Sequence, residues 1–131
     1  MNPGTIFFKK DFEFIDGDSS DKLFVLLTPA RNGEFLVVKT TSQPKPWRDY
    51  DQGCQAEKGY FYFPSGTSWF DVNTWVVLDD PLILDARVVL QWFKNGAAEV
   101  KTRLSLNDFA AIKNCLKRVD DISDEMLEML R

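Results

Sequence analysis

Hydrophobic positions in the first forty residues form three runs that polar, glycine-containing turns separate. Residues 4–15, 23–28 and 34–41 are rich in Phe, Leu, Val and Ile. Apolar runs of this length, bounded by turn residues, are typical of buried β-strands. The pattern therefore predicts three core strands in succession, the third of which ends with the hydroxyl side chains of Thr41 and Ser42.

Shorter apolar runs continue beyond these strands. They predict further strands at residues 60–63, 74–78, 82–84, 88–93 and 99–104. The intervening segment 42–58 contains two prolines, a glycine and many polar residues, which predicts a long loop.

The hydrophobic period changes to that of a helix near the C-terminus. Ser105 and Asp108 have the spacing of a capping box, and apolar residues then repeat at steps of three and four. We therefore predict a helix over residues 106–119 and a shorter one over 124–130. Short strands followed by a packed helix predict a mainly β fold of the α+β class, a small β-barrel with a helical cover.

Composition limits the domain organisation and the cell compartment. The chain of 131 residues is 44% hydrophobic, which indicates one folded core and excludes a disordered chain. No apolar run is long enough for a membrane span, and the first residues lack the pattern of a secretory signal. Cys54 and Cys115 lie far apart in sequence and are predicted to be free thiols of a cytoplasmic protein.

Charge is distributed unevenly along the chain. The net charge is −4, and residues 120–131, with five acids and one base, account for all of it. We interpret residues 1–119 as the barrel domain and residues 120–131 as an acidic, short helical tail. The domain itself is neutral, so it can carry a local basic surface for nucleic acid.

The chain contains no histidine. This excludes the Ser-His and Cys-His pairs of nucleophilic enzymes. An enzyme of this composition would depend on Lys, Arg, carboxylate or hydroxyl groups, or on positioning and charge. No spacing of Cys or His is suited to zinc, and the sequence predicts neither a metal nor a cofactor.

Candidate catalytic residues lie where the predicted strands begin and end. The hydroxyls of Thr41 and Ser42 could contact a phosphate, although such residues often simply begin a turn. Lys22 precedes a core strand, where a cation can neutralise a phosphate or merely close a hairpin. Lys9 and Lys10 could bind RNA or could protect a strand edge from aggregation.

Cations and aromatic residues alternate in the predicted loop. Lys45, Trp47, Arg48 and Tyr50 follow Gln43, a mixture that suits single-stranded nucleic acid because bases stack on rings and phosphates meet cations. The alternative is a surface loop whose rings pack against the barrel.

The order of these segments resembles the PemK/MazF family of toxin endoribonucleases. The resemblance covers residue 4 to about residue 119 and rests on Gly4-Thr5-Ile6, Asp16-Gly17 and residues 23–28, 37–43, 74–78, 82–87 and 104–116. It implies an SH3-like barrel, a homodimer, a cognate antitoxin protein as partner and single-stranded RNA as substrate.

The resemblance also implies roles for individual residues. Thr41 falls at the family's catalytic Thr or Ser, with Ser42 beside it, and Lys22 falls at the family's arginine. The implied reaction needs no metal: the ribose 2′-hydroxyl attacks phosphorus, Lys22 stabilises the phosphorane and Thr41 positions the phosphate. Lysine lacks the planar fork of arginine, so one alternative is an inactive barrel that binds nucleic acid or protein. Another is an immunity-type or structural partner whose acidic tail covers the groove.

Overall fold

Strands dominate the computed structural model, which describes residues 1–14 and 16–131. In these residues the strands are β1 (Thr5–Glu13), β2 (Ser19–Leu26), β3 (Glu34–Thr41), β4 (Gly53–Gln55), β5 (Tyr60–Phe63), β6 (Thr74–Val77), β7 (Leu82–Asp85) and β8 (Ala98–Arg103). The helices are α1 (Ala86–Lys94), α2 (Leu106–Leu116) and α3 (Asp124–Met129). The fold is thus mainly antiparallel sheet with a few helices, as the α+β prediction requires. Ile15, the last residue of the first predicted strand, lies outside the described residues.

Strand β3 is the branch point of the sheet. The hydrogen-bonded order is β4-β5-β6-β3-β2-β1-β8, and β7 also pairs with β3. Residues Glu34 to Val37 of β3 pair with β7, whereas Thr40 and Thr41 pair with β6. The C-terminal end of β3 therefore lies where two parts of the sheet meet, and Thr41 is positioned by strands on both sides.

Both faces of the central strands are buried, in two separate apolar clusters. Ile6 and Val25 belong to the larger cluster, which includes residues of α2 and α3. Their neighbours Phe7 and Phe24 point to the opposite face, toward α1. Burial on both faces explains why these strands are almost continuously apolar instead of alternating.

Residues 88–93 were expected to be strand, and this prediction is wrong because they form most of α1. The Asp85 side chain caps this helix by accepting a hydrogen bond from the backbone N–H of Arg87. Val89, Trp92 and Phe93 pack against the smaller cluster at helical spacing. The run of β-branched residues favoured a strand, but the cap and this packing outweigh that local preference.

The prediction of free thiols is also wrong. Cys54 in β4 and Cys115 in α2 form a disulfide, with their Cα atoms 5.6 Å apart. The predicted loop 42–58 accordingly contains a short strand and a 3-10 turn (Ala56–Lys58). A bridge between residues separated by 61 positions is expected to stabilise the fold by about 2–4 kcal/mol.

The acidic C-terminal segment packs on the larger cluster. Met129 and Leu130 are buried there, and Arg31 Nη1 donates to the Glu128 carbonyl oxygen at 3.0 Å. Arg31 precedes β3 whereas Thr41 ends it, so α3 contacts the end of β3 opposite to Thr41. In the described part of the chain, no helix is long and apolar enough to cross a membrane.

Candidate functional site

The register of β2 and β3 brings the predicted catalytic residues together. Phe24 lies opposite Lys39, and residues two positions apart in a strand share a face. Continuing the same register places Lys22 opposite Thr41, on the face that carries Lys39. Lys22 and Thr41 also line one cavity, so the structure brings both to the same end of the sheet.

The loop after β3 adds a third cation. Arg48 Nη1 donates to the Gln43 carbonyl oxygen at 2.8 Å, and its guanidinium carbon lies 5.7 Å from the centre of the Trp47 ring. Arg48 is close enough to Lys22 for their charges to interact. We call Lys22, Lys39 and Arg48 the cation cluster.

Burial and mutual repulsion make the cation cluster electrostatically unfavourable. Partial burial lowers the pKa of Lys22 below its usual range, and the positive charges of Lys39 and Arg48 lower it further. Burial also lowers the pKa of Arg48, although the nearby Asp79 charge opposes the effect. A bound anion would offset both costs, which is the electrostatic requirement of a phosphate site.

Two groups that sequence reasoning missed complete the cluster. The Nζ atoms of Lys22 and Lys39 lie 5.9 Å and 5.6 Å from the centre of the Phe14 ring. Lys39 forms an ion pair with Asp80. The signal for Lys39 was available, because it precedes Thr41 by two positions in a strand; the approach of Phe14 depends on how the β1–β2 turn folds.

Thr41 has a structural partner of its own. Its Oγ1 accepts a hydrogen bond from the Gln43 N–H at 3.1 Å, as in a turn that begins with a hydroxyl residue. The hydroxyl can still donate its hydrogen to a phosphate oxygen. Ser42 and Gln43 are exposed and line the cavity together with Thr41.

Aromatic rings beside the cation cluster face solvent. Trp47 and Tyr50 are each 60% exposed. The Tyr50 ring meets Tyr62 and Trp75 edge to face, with centroids 5.8 Å and 5.5 Å apart. Exposed Lys45 lies in the same loop. Rings held this way can stack on unpaired bases while neighbouring cations contact the phosphates.

Lys9 and Lys10, both expected to bind RNA, lie on β1 next to this arrangement. Lys9 faces Lys22 in the β1–β2 register, but it is only 8% exposed. Its ammonium lies 5.1 Å from the Trp92 ring centre and donates to the Lys10 carbonyl oxygen. Lys10 is exposed on β1.

The cavity that Lys22 and Thr41 line has a volume of about 750 Å³. Phe8 and Leu23 line it and occupy opposed positions in β1 and β2. Phe70 forms part of another wall, and Asp21 and Glu99 add carboxylates. Sequence reasoning missed this cavity because its walls come from segments far apart in the chain.

Neither a protein-family model nor a curated protein sequence matches this chain. The chemistry of the cation cluster and the cavity is therefore the guide to function.

Proposed function

We propose that the protein is an endoribonuclease that cleaves single-stranded RNA through its own ribose 2′-hydroxyl. The observation that carries this proposal is the convergence of Lys22, Lys39 and Arg48 beside the Thr41 hydroxyl. Trp47 and Tyr50 stand next to them with exposed rings. Positive charge, a hydroxyl donor and stacking surfaces are what a single-stranded RNA backbone requires.

The reaction needs little covalent participation by the enzyme. The 2′-oxygen bonds to phosphorus as its proton passes through Thr41 or water to solvent. The P–O5′ bond then breaks, the 5′-oxygen takes up a proton, and the products are a cyclic phosphate and a 5′-hydroxyl. Lys22 and Arg48 stabilise the negative charge that develops on the phosphorane, and Thr41 orients the phosphate.

Arg48 supplies what Lys22 lacks. Lysine is a point charge, whereas the guanidinium group presents a planar fork that matches two phosphate oxygens. Arg48 comes from the loop after β3 and lies within interaction range of Lys22. The pair can thus share the role that a single arginine has in the PemK/MazF family.

The resemblance to that family extends the proposal. It adds an SH3-like arrangement of the strands, a homodimer and an antitoxin protein that occupies the RNA groove. It also adds a cytoplasmic location, against which the Cys54–Cys115 disulfide counts, since such bonds are typical of oxidising compartments. On this proposal the protein is the toxin component of a toxin–antitoxin system. A short antitoxin-like reading frame directly upstream of the gene would support it.

Cleavage by purified protein tests the proposal. We expect single-stranded RNA to be cut in EDTA, leaving cyclic phosphate and 5′-hydroxyl ends. Thr41→Val should lower the rate by about 100-fold or more, as loss of a transition-state donor does elsewhere, and Thr41→Ser should retain most of it. Thr102→Val, on β8, is the matched control and should leave the rate unchanged. Intact RNA with folded protein at high concentration would falsify the enzyme proposal.

The lowered pKa of Lys22 gives a second test. As pH rises, Lys22 loses its proton at a lower pH than an ordinary lysine, so cleavage should fall on the alkaline side. Lys22→Arg, which stays protonated, should move this fall to higher pH. An alkaline limb that is identical in both proteins would remove Lys22 from the reaction.

One observation favours a second candidate, a module that binds RNA without cleaving it. Lys39 already forms an ion pair with Asp80, and the Thr41 oxygen already accepts a hydrogen bond from the Gln43 N–H. For such a module, RNA binding should depend on salt and should be weakened by Arg48→Met but not by the control Arg118→Met. This result, with no RNA cut, would make binding without cleavage the correct function.

A further inference from the structure

The cavity and the cation cluster meet at the same strand ends. Thr41 and Lys22 line the cavity, and Lys22 also belongs to the cation cluster. A phosphate bound at the cluster is therefore next to the cavity opening. The volume of about 750 Å³ is within the range of small-molecule sites and can hold a nucleobase with its ribose.

Flat apolar side chains form the walls of the cavity. Phe70 is buried and held against Phe63, with ring centroids 5.2 Å apart. Trp69 is 41% exposed at the rim and meets Phe70 nearly edge on, with centroids 5.7 Å apart. Phe8 lines the cavity together with these rings. Fixed aromatic surfaces of this kind favour a planar heteroaromatic ring.

Carboxylates outnumber cations in the cavity, because Asp21, Asp71 and Glu99 line it together with Lys22 and Lys101. Asp21 lies on β2 and Glu99 on β8, with β1 between these two strands. One oxygen of Asp21 accepts the Asp11 N–H at 2.9 Å, and one oxygen of Glu99 lies 3.4 Å from Lys101 Nζ. Among the described residues the second oxygen of each carboxylate has no partner, so each can accept a further hydrogen bond.

The excess of carboxylates in the cavity, next to the cation cluster, orients a nucleotide. Carboxylates repel a phosphate but accept hydrogen bonds from the N–H groups of a base, whereas the cation cluster attracts the phosphate. Guanine presents N1–H and the N2 amino group side by side, so one can donate to the free oxygen of a carboxylate and the other to the remaining lone pair of its partnered oxygen. Uracil presents a single N–H along the same edge.

We propose that the cavity is a base-specificity site that binds guanine while the attached phosphate lies at the cation cluster. The inference rests on the proposed RNA substrate and adds the identity of one base. Asp21 and Glu99 determine the choice of base, and Phe8, Trp69 and Phe70 provide the stacking surfaces.

Mononucleotide binding tests the inference without any cleavage. We expect GMP to bind at least tenfold more tightly than UMP in calorimetric titration, since a bidentate base contact discriminates by about this factor or more. Glu99→Gln and Asp21→Asn should each reduce this preference several-fold, and Glu125→Gln, on α3, should leave it unchanged. Lys22→Met should weaken both nucleotides equally, because it acts on the phosphate.

The outcomes distinguish this inference from the proposed function. Selective GMP binding by a protein that cuts no RNA would uphold the cavity and reject the endoribonuclease. RNA cleavage combined with equal affinity for GMP and UMP would overturn the cavity proposal alone. A preference for GMP that survives both carboxylate substitutions would also overturn it. Quenching of tryptophan fluorescence by GMP that disappears in Trp69→Phe would locate the ligand in the cavity.

Discussion

Strands β2 and β3 each have a buried half and a charged end, and the two regions differ in what they contribute. Val25 and Val38 are opposed in the register and fully buried. Lys22 and Thr41, a few positions further along the same strands, are only partly buried. The buried halves fix the strands rigidly, and this rigidity holds the charged ends close together despite their repulsion. Substitutions in the two regions should therefore separate stability from chemistry.

The largest effect is expected in the buried half. Leu36 in β3 is fully buried in the larger cluster, so Leu36→Ala should lower the free energy of unfolding by about 2–5 kcal/mol. Urea unfolding of the oxidised protein measures this change. Leu106→Ala is the matched control, since Leu106 is 75% exposed, and should stay within about 0.5 kcal/mol. Similar losses in both variants would mean that β3 is not the rigid part of the site.

The disulfide links the buried region to the loop that carries Arg48. Replacing Cys54 and Cys115 together with Ala should cost about 2–4 kcal/mol of unfolding free energy. Thermal unfolding with and without reductant measures the effect, and reductant should destabilise only the wild type. If reductant leaves the melting temperature of the wild type unchanged, the bridge does not contribute to the stability of this fold.

A substitution at Gly59 should have an effect of intermediate size, because this glycine lies beside Asp79, whose charge acts on Arg48. It has φ +79°, and a Cβ atom there would lie 2.6 Å from Asp79 Cβ, near the charge that interacts with Arg48. Gly66 has a similar φ of +82° but open space around it. Both substitutions place an alanine in the left-handed region, but only the Gly59 variant also brings a Cβ atom into a clash. Gly59→Ala should therefore destabilise the protein by about 1–2 kcal/mol more than Gly66→Ala. Equal losses would show that Asp79 moves aside freely.

The contrast between the buried halves and the charged ends also explains which elements could be predicted from the sequence. The strand over residues 34–41 was predicted with the bounds it has, because burial on both faces leaves a continuous apolar run. Lys22 and Thr41 were singled out because each lies beside such a run and falls at a site position in the family resemblance, and the structure brings both to one cavity. Helix α1 was missed because its β-branched residues imitate a strand, and the cap at Asp85 is a weak local signal.

Contacts between segments distant in sequence could not be predicted. The disulfide joins residues 61 positions apart, and only the packing of α2 on β4 decides that they meet. Phe14 and Arg48 reach Lys22 through turns whose geometry depends on the whole sheet. Some residues of the candidate site were therefore named from the sequence, whereas the remaining groups and the electrostatic character of the site depend on the fold.

The smallest expected effect concerns the charged end itself. Removing the positive charge at Lys22 relieves repulsion from Lys39 and Arg48, so Lys22→Met should leave the stability unchanged or raise it slightly, by less than about 0.5 kcal/mol at this partly exposed position. The same variant should lose RNA cleavage. Lys117→Met, at the C-terminal end of α2, is the control for the loss of a lysine charge and should preserve cleavage.

The pH dependence of this small difference has a definite sign. The pKa of Lys22 is lower in the folded protein than the ordinary value of 10.5, so the unfolded chain binds more protons between these two values. The cost of the buried charge is fully present below the folded pKa and disappears as pH rises toward 10.5. Any stability advantage of Lys22→Met should therefore be present at neutral pH and shrink in alkaline solution. A variant that is instead destabilised by more than about 1 kcal/mol at neutral pH would place Lys22 among the structural residues and remove the distinction between the two halves of β2.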